Sequence, residues 1–247
     1  MGKSALNDSG AAATRGDGTG VSEAARAEAA RCGLELRRGA KGLELTDGAL
    51  TLRADLSALA SRIAPGRIGR ELLVRAARIK GADAPRAVDA TAGLGEDSLL
   101  LAAAGFRVTL CECNPAIAAL LRDALARAAD DERLSPIVAR MELVEGDGIA
   151  ALSRLAKAHN EPDLVYLDPM FPGRAKSAAV KKKFQLLHRL ERPCDDEAAL
   201  LAAARAANPR KIAIKRPVKA PYLAGEKPSY SLSGKAVRYD VIALARA

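Results

Sequence analysis

Val88-Asp89-Ala90-Thr91-Ala92-Gly93-Leu94-Gly95-Glu96-Asp97-Ser98 takes the chain from an apolar run, through a glycine turn, into a stretch with helical spacing. Glycine adopts the backbone conformations of a tight turn and lets a ligand come close, and the helix that follows offers N–H groups to an acceptor. The unit is strand, turn, helix. Downstream the same alternation repeats. It predicts strands over 87–90, 107–111, 142–145, 164–167 and 211–215, and helices over 96–104, 115–129, 149–158, 177–190 and 197–207. Such alternation gives a doubly wound, mostly parallel sheet. Residues 229–232 and 237–244 flank Ser233-Gly234-Lys235 and read as an antiparallel hairpin that closes it. The fold class is therefore α/β and Rossmann-like, a seven-stranded sheet over 65–247.

Upstream the pattern changes. Residues 1–20, rich in Gly, Ala, Ser and Asp, are expected to be mobile. Residues 22–31 read as a short helix capped by Ser22. Leu34-Glu35-Leu36, Leu43-Glu44-Leu45 and Leu50-Thr51-Leu52 are alternating runs separated by Gly39, Gly42, Asp47 and Gly48. They predict a small antiparallel unit with Asp47-Gly48 as a hairpin turn. Residues 21–64 form an α+β subdomain too poor in large apolar side chains to stand alone. A further amphipathic helix is expected over 69–79, with Leu72, Leu73, Ala76 and Ile79 on one side.

Bulk composition sets bounds. The 247 residues suit one medium domain with a small appendage. The chain is 49% hydrophobic but only 3% aromatic, so alanine carries much of the apolar share and the reading is helix-rich. A net charge of +9 favours a polyanionic partner, nucleic acid first. The four cysteines form no CxxC pair; Cys111 and Cys113 alternate with Glu112 and are expected to be buried. With only His159 and His188 besides, no metal site is expected. No signal peptide is recognisable, and no run approaches the ~20 apolar residues of a membrane span, so a cytosolic location is expected.

A dinucleotide site would add an acid at the end of the second strand, and Glu112 stands there. Two features oppose a dinucleotide. Ser98 occupies the third small position, and Glu96 and Asp97 put negative charge where a pyrophosphate would lie. A cofactor without phosphate and with a positive centre fits better, which points to S-adenosylmethionine. Asp147, in Glu145-Gly146-Asp147-Gly148, ends the third strand and could accept from an adenine amino group. Asp168 ends the fourth. One acid at a strand end is more often a cap or turn residue. Asp89, Glu112, Asp147 and Asp168 in series are a more specific pattern.

The fourth strand runs into Val165-Tyr166-Leu167-Asp168-Pro169-Met170-Phe171-Pro172. Pro169 cannot donate a backbone hydrogen bond and keeps Asp168 out of helical geometry. The segment offers acceptors plus the flat face of Phe171, which suits a planar group with an exocyclic NH2. Asp168-Pro169-Met170-Phe171 is similar to the Asp/Asn-Pro-Pro-Tyr/Phe motif of methyltransferases acting on amino nitrogens. Asp168 would orient the nitrogen, Pro169 shape the loop and Phe171 stack on the base. Positioning dominates such an in-line transfer.

In combination, the motifs from Asp89 to Gly95, Glu112 to Pro115 and Tyr166 to Pro172, with Lys176-Ser177-Ala178 and Lys215-Arg216-Pro217, resemble the small-subunit ribosomal RNA guanine-N2 methyltransferase J family over about residues 67–239. The resemblance implies a class I methyltransferase fold and methyl transfer from S-adenosylmethionine to N2 of a guanosine in 16S ribosomal RNA. It also implies cofactor contacts at Glu96, Asp97, Glu112, Cys113, Asp147, Gly148 and Asp168, beside Asp89, Gly93 and Gly95 of the turn.

A basic stretch suits that substrate. Arg174, Lys176, Lys181, Lys182, Lys183, Arg189 and Arg192 follow the reaction loop, and Lys211, Lys215, Arg216 and Lys219 follow the last parallel strand. Phosphate contacts of this kind position RNA without reading its sequence. The rival readings are an amino methyltransferase for DNA adenine or protein glutamine, a non-catalytic RNA-binding protein, and a nicotinamide-dependent oxidoreductase. The Asp168 loop opposes the last, and intact acids on four strand ends oppose the non-catalytic one.

Overall fold

The computed structural model describes residues 20–169, 182–190 and 196–245, with the side chains of 182–184 outside that description. The expectation of a mobile segment over 1–20 lies almost wholly outside it. Helix α1 (Glu23–Arg31) begins where Ser22 Oγ accepts from Ala25 N at 3.2 Å. Strands β1 (Glu35–Gly39), β2 (Gly42–Thr46) and β3 (Thr51–Leu52) make an antiparallel three-stranded sheet. Asp47 turns the chain between β2 and β3, accepting from Ala49 N and Leu50 N through Oδ1.

The helix expected over 69–79 is shorter and broken. After the short α2 (Ala60–Ile63), a 3-10 turn over Ile68–Arg70 precedes α3 (Leu72–Ala77). Glu71 between them is extended (φ −62°, ψ 129°) and its carboxylate goes to Arg62 instead of capping α3. Arg78 is extended too and ends the helix at Ala77.

From there the alternation follows the sequence closely. It runs β4 (Arg86–Asp89), α4 (Glu96–Ala103), β5 (Arg107–Glu112), α5 (Pro115–Ala129), α6 (Ser135–Val138), β6 (Met141–Glu145), α7 (Gly148–Lys157) and β7 (Leu164–Leu167). Then come α8 (Lys182–Leu190), α9 (Glu197–Ala206), β8 (Lys211–Pro217), β9 (Tyr230–Ser233) and β10 (Val237–Ala243). The sheet order is β6-β5-β4-β7-β8-β10-β9, with β10 antiparallel to both its neighbours and the other pairings parallel. The order reverses between β4 and β7, and ligands in such sheets sit beyond the carboxyl ends of the strands at that point.

One face of the sheet buries Val165, Leu167, Ile212 and Ile214 under α7 and α9. The other buries Tyr166, Ala213, Tyr239 and Val241 with α3 and α4. A third cluster joins the N-terminal sheet to the large domain, with Leu36, Leu43 and Leu45 against Ile117, Leu120 and Ala124 of α5 and Leu186, Leu187 and Leu190 of α8. Polar ties reinforce it: Asp123 on α5 accepts from Leu43 N at 3.0 Å and pairs with Arg38 at 2.6 Å. Among the described residues no helix is long and apolar enough to cross a membrane.

Candidate active site at the carboxyl edge of the sheet

The glycine turn is built from beneath by two carboxylates. Asp89, 1% exposed, accepts from Thr91 N at 3.1 Å through Oδ1 and from Ser98 Oγ at 2.6 Å through Oδ2. Burial pushes its carboxyl up to about 7, against those hydrogen bonds, which lower it. Glu112, at the end of β5, accepts from Gly93 N at 2.9 Å and from Asn114 N at 2.8 Å. The turn is thereby pinned to the next strand. Gly95, left-handed at φ 76°, has no room for a Cβ, which would meet Leu121 Cδ1 at 2.7 Å; Gly93, at φ 55°, faces open space.

A row of side chains crosses β7, β8 and β10 beside this turn. Leu167 pairs with Ile214, so Asp168 and Lys215 follow as lateral neighbours, and Lys215 pairs with Tyr239. Lys215 Nζ lies 2.9 Å from Asp168 Oδ2 and 2.6 Å from Asp97 Oδ2. Tyr166, two residues before Asp168 and on the same face, donates its hydroxyl to Asp97 Oδ2 at 2.6 Å. Burial disfavours the charge on Lys215, but the Asp97 and Asp168 carboxylates outweigh it and hold the ammonium above the ordinary lysine range. Burial, reinforced by Asp97, also raises the Tyr166 and Tyr239 phenols, which stay protonated. Asp168 N donates to Thr91 Oγ1 at 2.7 Å, so the residue whose N–H bonds Asp89 also fixes the backbone of Asp168 at the end of β7.

The family model described as "Putative SAM-dependent methyltransferase" matches residues 27–243. The chain belongs to that methyltransferase family. A relative called ribosomal RNA small subunit methyltransferase J from Pseudomonas fluorescens is 41% identical over 240 residues, 91% of each chain. One of the same name from Pseudomonas aeruginosa is 43% identical over 90% of each. The crystal structure of a SAM-dependent methyltransferase from Neisseria gonorrhoeae superposes with a TM-score of 0.70 at 31% identity, covering 91% of this chain and 93% of that one. S-adenosylmethionine is the cofactor that goes with the family. The residues present fit it: an open face at Gly93, an exposed carboxylate at Glu96, and acids closing β5 and β6 with no lysine or arginine of the turn placed for a pyrophosphate.

Several expected site residues take other places in this methyltransferase. Asp147 is the cap of α7, its Oδ1 accepting from Ala150 N at 2.8 Å. Gly148 is a packing glycine, since a Cβ would stand 2.2 Å from the Ala90 carbonyl oxygen. Cys113 is exposed rather than buried, because β5 ends at Glu112 and the alternation stops there; Cys111 is buried and its thiol is pushed up to about 12 by burial.

The basic residues need more correction. Lys215 does not face RNA phosphates but points into the site between two carboxylates. Arg216 alternates to the opposite face of β8, is 1% exposed, and bonds Glu197 at 2.8 Å and the Pro221 carbonyl at 3.1 Å. Arg189 turns into the N-terminal unit, donating to the carbonyls of Cys32 and Gly33. Phe171, Arg174, Lys176, Lys181, Arg192 and Cys194 lie outside the described residues, as do the side chains of Lys182 and Lys183. Sequence reading missed Tyr166 as a site residue and gave Lys215 to RNA phosphates instead of to the Asp97 and Asp168 carboxylates. The signal lay in Lys211-Ile212-Ala213-Ile214-Lys215-Arg216, whose alternation sends Lys215 and Arg216 to opposite faces.

Proposed function

We propose that the chain transfers a methyl group from S-adenosylmethionine to the exocyclic N2 of a guanosine in 16S ribosomal RNA. The names of its curated relatives support the small-subunit ribosomal RNA as substrate. The observation that carries the site is the Asp168–Lys215 pair at the tip of β7, next to the glycine turn and leading into Pro169.

When bound, the cofactor supplies a methyl on a sulfonium centre, a good electrophile needing no acid activation. The chain's own task is to hold the amino nitrogen in line and strip it of water. In this reading the Asp168 carboxylate accepts an N–H of the amino group and aims its lone pair. Its ion pair with Lys215 makes it a fixed acceptor rather than a strong base. Phe171 stacks on the base. Asp97 acts by holding Lys215 and Tyr166, and Asp89 and Glu112 act by shaping the turn. Glu96, Cys113, Asp147 and the backbone of Gly93 and Gly95 border the cofactor. Arg174, Lys176, Lys181, Lys182 and Lys183 remain phosphate contacts on the reading of the sequence, and residues 21–64 a subdomain seated on 65–247.

The deciding experiment is methyl transfer from labelled S-adenosylmethionine to small-subunit particles lacking the modification, with nucleoside analysis. N2-methylguanosine supports the proposal. Label on adenine or on protein moves the substrate and overturns it.

A further inference from the structure

A groove of about 520 Å³ opens beside Tyr239, lined by Arg62, Arg67, Arg70, Glu71, Leu72 and Val237 among others. That volume is typical of ligand sites. It lies against the catalytic row: Tyr239 forms part of its wall and pairs across the sheet with Lys215. It also lies on the β8–β10 side of Asp168, away from the glycine turn on β4 and β5. Asp168 therefore stands between the cofactor half and this groove.

The wall is positively charged, and only part of that charge is neutralised. Arg62 is spent on Glu71 in a two-pronged pair, Nε to Oε1 at 2.9 Å and a terminal nitrogen to Oε2 at 2.7 Å. Arg67 and Arg70 are exposed, and neither has a carboxylate partner among the described residues. Arg70 ends the 3-10 turn that interrupts the expected helix, Arg67 stands directly before that turn, and both line the groove. Guanidinium groups match phosphate oxygens with paired, charge-assisted hydrogen bonds. Leu72, Val237 and the Tyr239 ring give the groove an apolar side on which a sugar or base can rest.

We infer that this groove holds the RNA backbone next to the target nucleotide, with Arg67 and Arg70 each taking a phosphate. The inference rests on the function proposed above. A single strand threaded here would present one base to Asp168, while its phosphates stay on the arginine rim and no part of it crosses the cofactor half. These contacts set register, and sequence is not read by them.

The test compares wild type with R67A/R70A and R67K/R70K. It reads KM for undermethylated small-subunit particles, binding to naked 16S RNA across salt, and S-adenosylmethionine binding by calorimetry. The double alanine variant is expected to raise KM at least tenfold and to make the log–log salt slope of RNA binding shallower by about 1.4, two phosphates at ~0.7 each for a single strand. Cofactor binding stays unchanged, and the lysine variant recovers most of the slope. Wild-type KM and slope in R67A/R70A overturn the groove while leaving the function intact. A defect seen with particles but absent in naked RNA binding assigns the groove to a ribosomal protein and overturns it too. A wild-type enzyme that neither binds nor methylates RNA removes the function and this inference together.

Discussion

Lys215 Nζ stands 2.9 Å from Asp168 Oδ2, and the two come from neighbouring parallel strands in lateral register. Asp97 closes the other side of the ammonium at 2.6 Å and also takes the Tyr166 hydroxyl. A single cation therefore sets the position of the Asp168 carboxylate and of the first turn of α4. Removing any member should disturb the others.

Asp168→Ala should lower the methyl-transfer rate at least ~100-fold while leaving cofactor affinity within a few-fold, because positioning of the amine is lost and the glycine turn is not. Single-turnover kinetics with calorimetric binding separate the two effects. Near-normal turnover would remove Asp168 from the reaction.

Lys215→Met leaves Asp97 and Asp168 facing each other with no cation between them. The side chain is 19% exposed, so the cost should be about 2–4 kcal/mol, somewhat below that of breaking a fully buried pair. Adding Asp97→Asn should restore part of the stability without restoring the rate. Urea denaturation of the three proteins checks this, and equal stability of all three would refute the coupling.

Asp89 gives a pH signature. Its folded value of about 7 lies above the 3.8 of an unperturbed aspartate, so the protonated form is favoured by folding. The stabilisation is fully present below pH 3.8 and lost as the pH rises through 7. Asp89→Asn does not titrate. The stability difference between wild type and variant should therefore shift against the wild type between pH 4 and 7, by on the order of 4 kcal/mol, then stay flat above. A difference that is constant over that window would show the carboxyl to be ionised throughout.

Gly148→Ala drives a methyl group toward the Ala90 carbonyl, 2.2 Å away, and backbone cannot step aside as a flexible side chain can. Destabilisation of roughly 1–3 kcal/mol is expected from the overpacking. Gly93→Ala meets open space but sits at φ 55°, a conformation that L residues disfavour. It should cost about 1 kcal/mol and weaken cofactor binding more than folding. Thermal melts with and without S-adenosylmethionine distinguish the two.

The parts of the fold visible in the sequence were those written locally. Strand β7 and helix α5 match their expected bounds residue for residue, since Pro169 follows the one and Asn114-Pro115 opens the other. The break at Glu71 was hidden because its partner, Arg62, is outside the helix being read. The site divides in the same way. The four acids could be counted along the chain, but what each carboxylate does for the fold depends on what faces it: Asp147 caps α7 through Oδ1, which a count of acids does not show. Lys215 looked like a surface cation because its two partners, Asp97 and Asp168, come from elements distant in sequence.

The shared core between the N-terminal sheet and α8 bears on how the chain comes off the ribosome. Arg189 reaches back 157 positions to Cys32 and 142 to Asp47, and Asn114 bonds both Glu28 on α1 and the Leu190 carbonyl. The first β-unit to emerge thus cannot complete its burial until residue 190 has been made. Part of its apolar face can close on α5, but the part under α8 must wait until then. Contacts this far apart slow folding and prolong the exposure of sticky surface. The sheet of β1, β2 and β3 is therefore completed only by residues made long after it.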